Sequence, residues 1–173
     1  KSSESRPLPG AALGASGPDW LVRDGARHCR RGVGLLVRVA AVARRDFPLL
    51  IEDGDARFER WRADRHTDGL AAACADPEVM RFLGGRGMTA SESRDVSRRI
   101  EEHWERERFG LWAVVVEGHT VGFAGVCVPY WHAEYAGEVE VGWRIDRTAW
   151  GRGLATRGGR AGLEAAFAHL GLE

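Results

Sequence analysis

The stretch TAWGRGLATRGGRAGLEAAF, residues 148–167, places Gly151, Gly153, Gly158, Gly159 and Gly162, with Arg152, Arg157 and Arg160, in the run-up and first turns of an amphipathic helix. Gly151, Arg152, Gly153, Leu154, Ala155 and Thr156 lie where a strand hands over to that helix. Successive backbone amides can turn inward there, and the helix N-terminus adds partial positive charge. Glycine lets the backbone approach an anion with no Cβ between them, and Arg152 can add a charge-assisted contact. The chemistry this suits is the holding of a pyrophosphate. A glycine-rich turn with no ligand accounts for the same residues, and the local pattern leaves both readings open. Two rival phosphate motifs are excluded. A dinucleotide fingerprint needs a third Gly or Ala where Thr156 stands and a following strand that ends in an acid, and a Walker loop needs a Gly-Lys-Ser/Thr that this chain, whose only lysine is Lys1, does not have.

Glu138 and Glu140 stand just upstream in GEVEVGWRI, two residues apart on one strand face, so their Cβ atoms are separated by roughly 6 to 7 Å. A partly buried carboxylate beside a like charge holds its proton more tightly, which suits a general base that takes a proton from an ammonium directly or through water. An exposed polar strand face is the alternative. Next to an anion-binding turn on the same strand-turn-helix unit, the catalytic reading gains weight. The segment VPYWHAEYAG joins this strand to the one before and carries Tyr130, Trp131, His132 and Tyr135. Aromatics on a long loop suit the wall of a small-substrate or peptide site. His132 could assist proton transfer, although a single loop histidine is more often a bystander. His119 in a hairpin turn and Cys127 in an apolar strand read as structural.

The elements that must position these groups follow from periodicity and capping. RFERWRA opens the ordered part with a strand. Asp68 or Thr67 can cap a helix through GLAAACA, which stops before Asp76-Pro77 because a residue preceding proline is pushed out of the helical region. Asp76 is then itself an N-cap for a short helix PEVMRFL closed by Gly84. TASE, Thr89 to Glu92, is a capping box that starts a further helix, with Val96, Ile100 and Trp104 as its buried stripe and EEHWERER as a charged outer face. LWAVVVEG and TVGFAGVCV are β-branched and aromatic runs split by a turn at Gly118, an antiparallel hairpin. GEVEVGWRI alternates, with Val139, Val141, Trp143 and Ile145 on one face and Glu138, Glu140, Gly142 and Arg144 on the other. The last helix runs from about Leu154 to Leu170, with Leu163, Phe167 and Leu170 expected on its packing face. The predicted order is β-α-α-α-β-β-β-α, a mixed α/β (α+β) chain.

Composition bounds the reading. A chain of 173 residues, 44% of them apolar, fits one domain with a core of ordinary size. Basic and acidic residues number 25 each, so no global field points to nucleic acid or to a membrane surface. The longest apolar run, GVGLLVRVAAVA, is interrupted by Arg38 and falls far short of the roughly 20 residues a spanning helix needs. No secretory leader pattern opens the chain. The three cysteines, Cys29, Cys74 and Cys127, are widely spaced with no C-x-x-C, which indicates neither a disulfide framework nor a zinc site and fits a reducing, cytoplasmic setting. Residues 1–48 are rich in Arg, Gly and Ala with little period and read as a poorly ordered extension, and residues 49–173 as the domain.

DPEVMRFLGG, the capped TASESRDVSRRIEEHW, VGFAGV, EVEVGWRI and AWGRGLAT, in this order, resemble the GNAT N-acetyltransferase superfamily, in particular the branch of enzymes that acetylate the N-terminal alanine or serine amines of ribosomal proteins. The resemblance spans Arg57 to Leu172. It implies an acyl-CoA N-acyltransferase-like fold, a mixed, mainly antiparallel sheet flanked by helices, and transfer of an acetyl group from acetyl-CoA to a primary amine in a ternary complex. The family turn Q/R-x-x-G-x-G/A falls on Trp150, Gly153 and Ala155, which implies that amides from Gly151 to Thr156 hold the pyrophosphate. The backbone of Val141 and its neighbours, Trp143 included, would line the pantetheine arm, Glu140 matches a proposed general base, and Glu138 is the second candidate. No metal is implied, and the acceptor, a peptide or small-molecule amine, would enter near Tyr130, Trp131, His132 and Tyr135. The family fold continues beyond this last helix with a further strand and helix, so the resemblance implies a domain incomplete at its C-terminus. The non-catalytic alternative is such a domain that binds CoA weakly or associates through an exposed sheet edge. Neither a nucleic-acid nor a membrane partner is expected, and the chain is read as a monomer or homodimer.

Overall fold

The structure is a computed structural model that describes residues 46–129 and 138–172, together with the backbone of residues 37–38. Its centre is an antiparallel sheet. β1 (Val37–Arg38), β2 (Leu50–Asp53), β3 (Ala56–Arg60), β4 (Leu111–Val116), β5 (His119–Cys127) and β6 (Glu138–Ile145) lie in the order β1-β6-β5-β4-β3-β2. Three helices cover it, α1 (Ala63–Ala75), α2 (Ala90–Glu107) and α3 (Leu154–His169). The β4-β5 hairpin closes through Glu117 and Gly118, both at positive φ, which matches the twist of the strands they join. No helix among the described residues is long and apolar enough to cross a membrane.

The two faces of the sheet are told apart by neighbours on β5. Phe123 meets Trp61 edge-on at 6.4 Å on the side covered by α1 and α2, whereas Ala124 lies beneath Gly158 of α3. Large residues fill the space on both sides. Trp61, Trp104 and Trp112 are buried and each indole N–H finds an acceptor: Ser97 Oγ at 3.1 Å, Leu111 O at 2.7 Å and Pro48 O at 2.8 Å. Each ring therefore contributes its full apolar area with no orphaned donor. Phe47 also belongs to this core, stacked on Trp112 with ring centroids 5.2 Å apart.

The capping box predicted at Thr89 is formed. Thr89 Oγ1 accepts from the Glu92 amide at 3.2 Å, and a Glu92 carboxylate oxygen accepts from the Thr89 amide at 2.7 Å. The Arg86 guanidinium and, after it, the Thr89 amide hold the Glu92 carboxyl at a pKa of about 2. A lowered carboxylate pKa contributes stability above its ordinary value, and that stability is lost as pH falls toward about 2. Thr89→Ala is expected to lower the unfolding free energy by about 1 kcal/mol. A lower denaturant midpoint with an unchanged slope is the measurement that checks it.

Several local expectations are corrected. PEVMRFL is a succession of turns over residues 77–84, not a helix, although Asp76 Oδ1 does accept from the Glu78 amide at 2.8 Å. The six residues between Pro77 and Gly84 are too few to recover the cost of helix nucleation. α1 starts one turn before Thr67 and Asp68, after Arg62, whose side chain makes no cap bond. Thr67 instead donates to Ala63 O at 2.7 Å from inside the helix. β1 and β2 were not legible, because two to four residues carry too little alternation to register. On α3, Leu163 is only partly buried and Phe167 is exposed, while Leu154, Gly158, Gly162, Ala165, Ala166 and Leu170 make up the packed face.

Candidate functional site

β6 holds the two candidate carboxylates, Glu138 and Glu140. Its N-terminal end pairs with β1, Val139 opposite Val37 and Glu138 opposite Arg38, and its other side pairs with β5 from Glu140 to Ile145. In an antiparallel pair alternate residues direct their backbone groups to the same neighbour. The Asp146 amide donates to Val121 O at 2.7 Å, so counting back in twos points Arg144, Gly142 and Glu140 toward β5. The backbone groups of Ile145, Trp143 and Val141 therefore point to the outer edge. No strand covers that edge beyond Val139 among the described residues.

The strand-to-helix turn is pinned before it reaches the glycines. Asp146 Oδ1 accepts from the amide and hydroxyl of Thr148 at 2.7 and 2.6 Å, closing a short 3-10 turn at Arg147–Ala149. Arg147 donates to Asp76 Oδ2, and the half-exposed Trp150 indole donates to Ile145 O at 2.8 Å. Gly151 and Gly153 then take φ of 78° and 71°, a region that L side chains rarely adopt. Gly153 is the N-cap of α3 and has no side chain to bond the first-turn amides. The first helical bond runs from the Arg157 amide to Gly153 O at 2.9 Å, and among the described residues nothing accepts from the amides of Gly151 through Thr156. Bare, convergent amides at the positive end of a 16-residue helix suit an anion.

A cleft of about 540 Å³ opens beside this turn, lined by Val79 and Leu83 from the turns after α1, Trp143 and Arg144 from β6, Trp150, Gly151 and Gly153 from the turn itself, and Leu154 of α3. Arg152 is not at the cleft. Its guanidinium pairs with Asp55 on the β2-β3 turn. Arg157 donates to Asp55 Oδ1 at 2.9 Å, to Asp53 Oδ2 at 2.7 Å and to Asp53 O. The two arginines, Arg152 first, hold the Asp55 carboxyl at a pKa of about 2. The Arg152 guanidinium, expected to face a phosphate, is turned toward Asp55 in this structure. These two aspartates were missed in the sequence because they lie about one hundred residues away, in a turn with no motif of its own.

Glu138 and Glu140 do share a face of β6. Glu140 stands opposite Cys127, and burial raises its carboxyl above the ordinary range. The Cys127 thiol is pushed up by burial first and by the Glu140 charge second. Tyr130, Trp131, His132 and Tyr135 lie outside the described residues. A residue that sequence reasoning passed over holds the backbone where β5 ends. His103, buried in the segment read as a charged outer face, bonds Phe109 O at 2.9 Å through Nδ1. Its Nε2 accepts from the Val128 amide at 2.9 Å. A carbonyl can only accept, so Nδ1 carries the proton. Among the described residues, no three His, Cys, Asp or Glu side chains are grouped to hold a metal ion.

The sequence model of the acetyltransferase (GNAT) domain matches residues 56–173. Among solved structures, the crystal structure of an acetyltransferase (GNAT family) from Bacillus anthracis superposes with a TM-score of 0.53 at 15% identity, covering 69% of this chain and 66% of the other. A putative GnaT-family acetyltransferase from Bordetella pertussis gives a TM-score of 0.60 at 18% identity, covering 73% of this chain and 75% of the other. At these identities the two structures establish a shared fold.

Proposed function

The chain belongs to the GNAT acetyltransferase family, and on that premise we propose that it transfers the acetyl group of acetyl-CoA to a primary amine by direct attack in a ternary complex. The observation that carries this reading is the set of bare amides from Gly151 to Thr156, at the end of the strand that bears a partly buried carboxylate with raised proton affinity. Those amides would hold the pyrophosphate of the co-substrate. The outward backbone of Val141 and Trp143 would hold the pantetheine arm along the open edge of β6, as a strand holds an added strand. Positioning then supplies most of the acceleration.

Glu140 takes the proton that the acceptor ammonium must lose, directly or through one water. A carboxylate whose pKa is raised toward the working pH is a stronger base at little cost in the fraction ionised. Glu138 shares its face one step nearer the aromatic loop and is the second candidate. The resemblance to enzymes acting on ribosomal-protein N-termini supports a peptide amine as one acceptor, and a small-molecule amine fits the same chemistry.

The test is a titration with acetyl-CoA followed by melting temperature. A ligand at one hundred times its dissociation constant stabilises the folded state by about 2.7 kcal/mol. The expected result is a rise of several degrees that saturates, accompanied by release of free CoA thiol when a panel of amines is added. No rise at millimolar acetyl-CoA would reject the cradle, and a rise without thiol release would reduce the protein to a binding module.

A further inference from the structure

Arg144 is a part-buried guanidinium with no countercharge among the described residues. Its Nε is buried and has no hydrogen-bond partner, and its Nη1 meets only Cys74 Sγ at 3.4 Å and Met88 Sδ at 3.5 Å. The guanidinium carbon stands 5.3 Å from the centre of the Phe123 ring. Thiol and thioether sulfurs are weak acceptors, and a guanidinium stays charged at any working pH. Taking such a group out of water is costly unless an anion faces it. After α1, Asp76 is paired with Arg147 and Glu78 with Arg81, and among the described residues no carboxylate pairs with Arg144. Yet Arg144 borders the cleft.

Its place on β6 indicates which ligand supplies the anion. Arg144 shares a face with Glu140, and that face looks toward α1 and α2, away from α3. Between them stands Gly142. A Cβ built there would meet only Glu140 Oε1 and Leu111 Cδ2, each at 3.7 Å, so the step between base and guanidinium is bare and the Glu140 carboxyl leans over it. We infer that the amine acceptor carries an oxyanion, a carboxylate above all, and that Arg144 binds it while the amine sits at Glu140. The assignment rests on the proposed acetyl transfer with Glu140 as base. Four residues along a strand span roughly 13 Å, shortened by whatever the two long side chains reach across, so the amine and the carboxylate are separated by several bonds. The bidentate fork of Arg fits a planar carboxylate and also a phosphate, so a phosphate of the co-substrate is the rival source.

The experiment uses ω-amino carboxylates of three to six carbons and their carboxamides as matched probes, with acetyl-CoA, on the wild type and on Arg144→Met. In the wild type the carboxylates are expected to exceed their amides roughly 10- to 100-fold in kcat/KM, the difference made by a charge-assisted bidentate contact. In Arg144→Met that preference disappears while KM for acetyl-CoA stays within twofold. The variant without ligand should melt no lower than the wild type, because an unbranched apolar side chain suits sulfur and aromatic neighbours better than an unpaired charge. Equal turnover of carboxylate and amide by the wild type, or a preference that survives in Arg144→Met, would overturn the inference. So would a tenfold rise in KM for acetyl-CoA with the acceptor preference intact, which assigns the guanidinium to the co-substrate, or an unliganded melting temperature several degrees lower, which makes it structural. Absence of turnover with every carboxylate while acetyl-CoA still raises the melting temperature overturns the acceptor class alone. No response to acetyl-CoA overturns the transfer reaction on which it rests.

Discussion

Glu140→Gln is expected to lower kcat/KM for acetyl transfer by about 10²- to 10⁴-fold, the range a positioned general base contributes, and to leave the affinity for acetyl-CoA within a factor of two. The amide keeps the shape of the carboxyl and its place opposite Cys127, so packing is preserved and only the proton acceptor is lost. The pH profile carries a second signature. Burial raises the Glu140 carboxyl, so in the wild type kcat/KM should climb with pH through that raised pKa as the base ionises. In the variant this limb should vanish. The linkage to stability has the opposite sign from that of Glu92. The folded state holds the Glu140 proton to higher pH than the unfolded chain does, so this group lowers stability as pH rises from the ordinary carboxylate range through the raised value. Gln carries no such penalty, and the variant is expected to melt at the same temperature or higher near neutral pH. A rate indistinguishable from the wild type would remove Glu140 from the mechanism and turn attention to Glu138.

Gly158→Ala should be the most damaging small substitution on α3, and Gly159→Ala one of the mildest. A Cβ at residue 158 would lie 2.4 Å from the Ala124 Cβ and 2.8 Å from a Phe58 ring carbon, both fixed in the sheet core. The helix would have to lift by about an ångström, and overpacking of this kind costs about 1–3 kcal/mol. The gain of up to about 1 kcal/mol in helix propensity offsets only part of it. Lifting the first turn also moves the amides of Gly151 to Thr156, and a displacement of about 1 Å can cost on the order of 10²-fold in rate. A Cβ at residue 159 meets the Trp143 ring at 3.5 Å, an ordinary contact, so there the propensity gain is realised. Paired melting curves and acetyl-CoA titrations on the two variants test the contrast. Equal melting temperatures for the two would show that α3 is not seated on Gly158.

The glycines of α3 have a role in the fold that helix propensity does not reveal. From helix propensity alone, Gly158 and Gly159 in the first turns read as a soft helix start. In the fold, Gly158 is the seat on the sheet. Phe167, expected in the core, is exposed because α3 packs through small residues, and the backbone approaches closely along the face of Gly158, Gly162 and Ala165. A period of 3.6 identifies an apolar stripe, but it does not distinguish a stripe of large side chains from a ridge of absent ones.

By itself the sequence determined what depends on residues within a few positions of one another. The Thr89-Glu92 box, the stop of α1 before Asp76-Pro77, the turn at Glu117-Gly118, the alternation that sets Glu138 and Glu140 on one face, and the strand-to-glycine-to-helix order at residues 145–154 are all of this kind. Each is decided by local hydrogen bonds and by a period of 2 or 3.6, and each is present in the fold. Tertiary structure alone decided what depends on partners far along the chain. It turned Arg152 and Arg157 toward Asp55 and away from the cleft, buried His103 under the end of β5, and set Arg144 among two sulfurs and an aromatic ring. The reason is physical. A charged side chain is directed by whichever opposite charge, or absence of one, the fold brings within a few ångströms, and no spacing in the sequence records that distance.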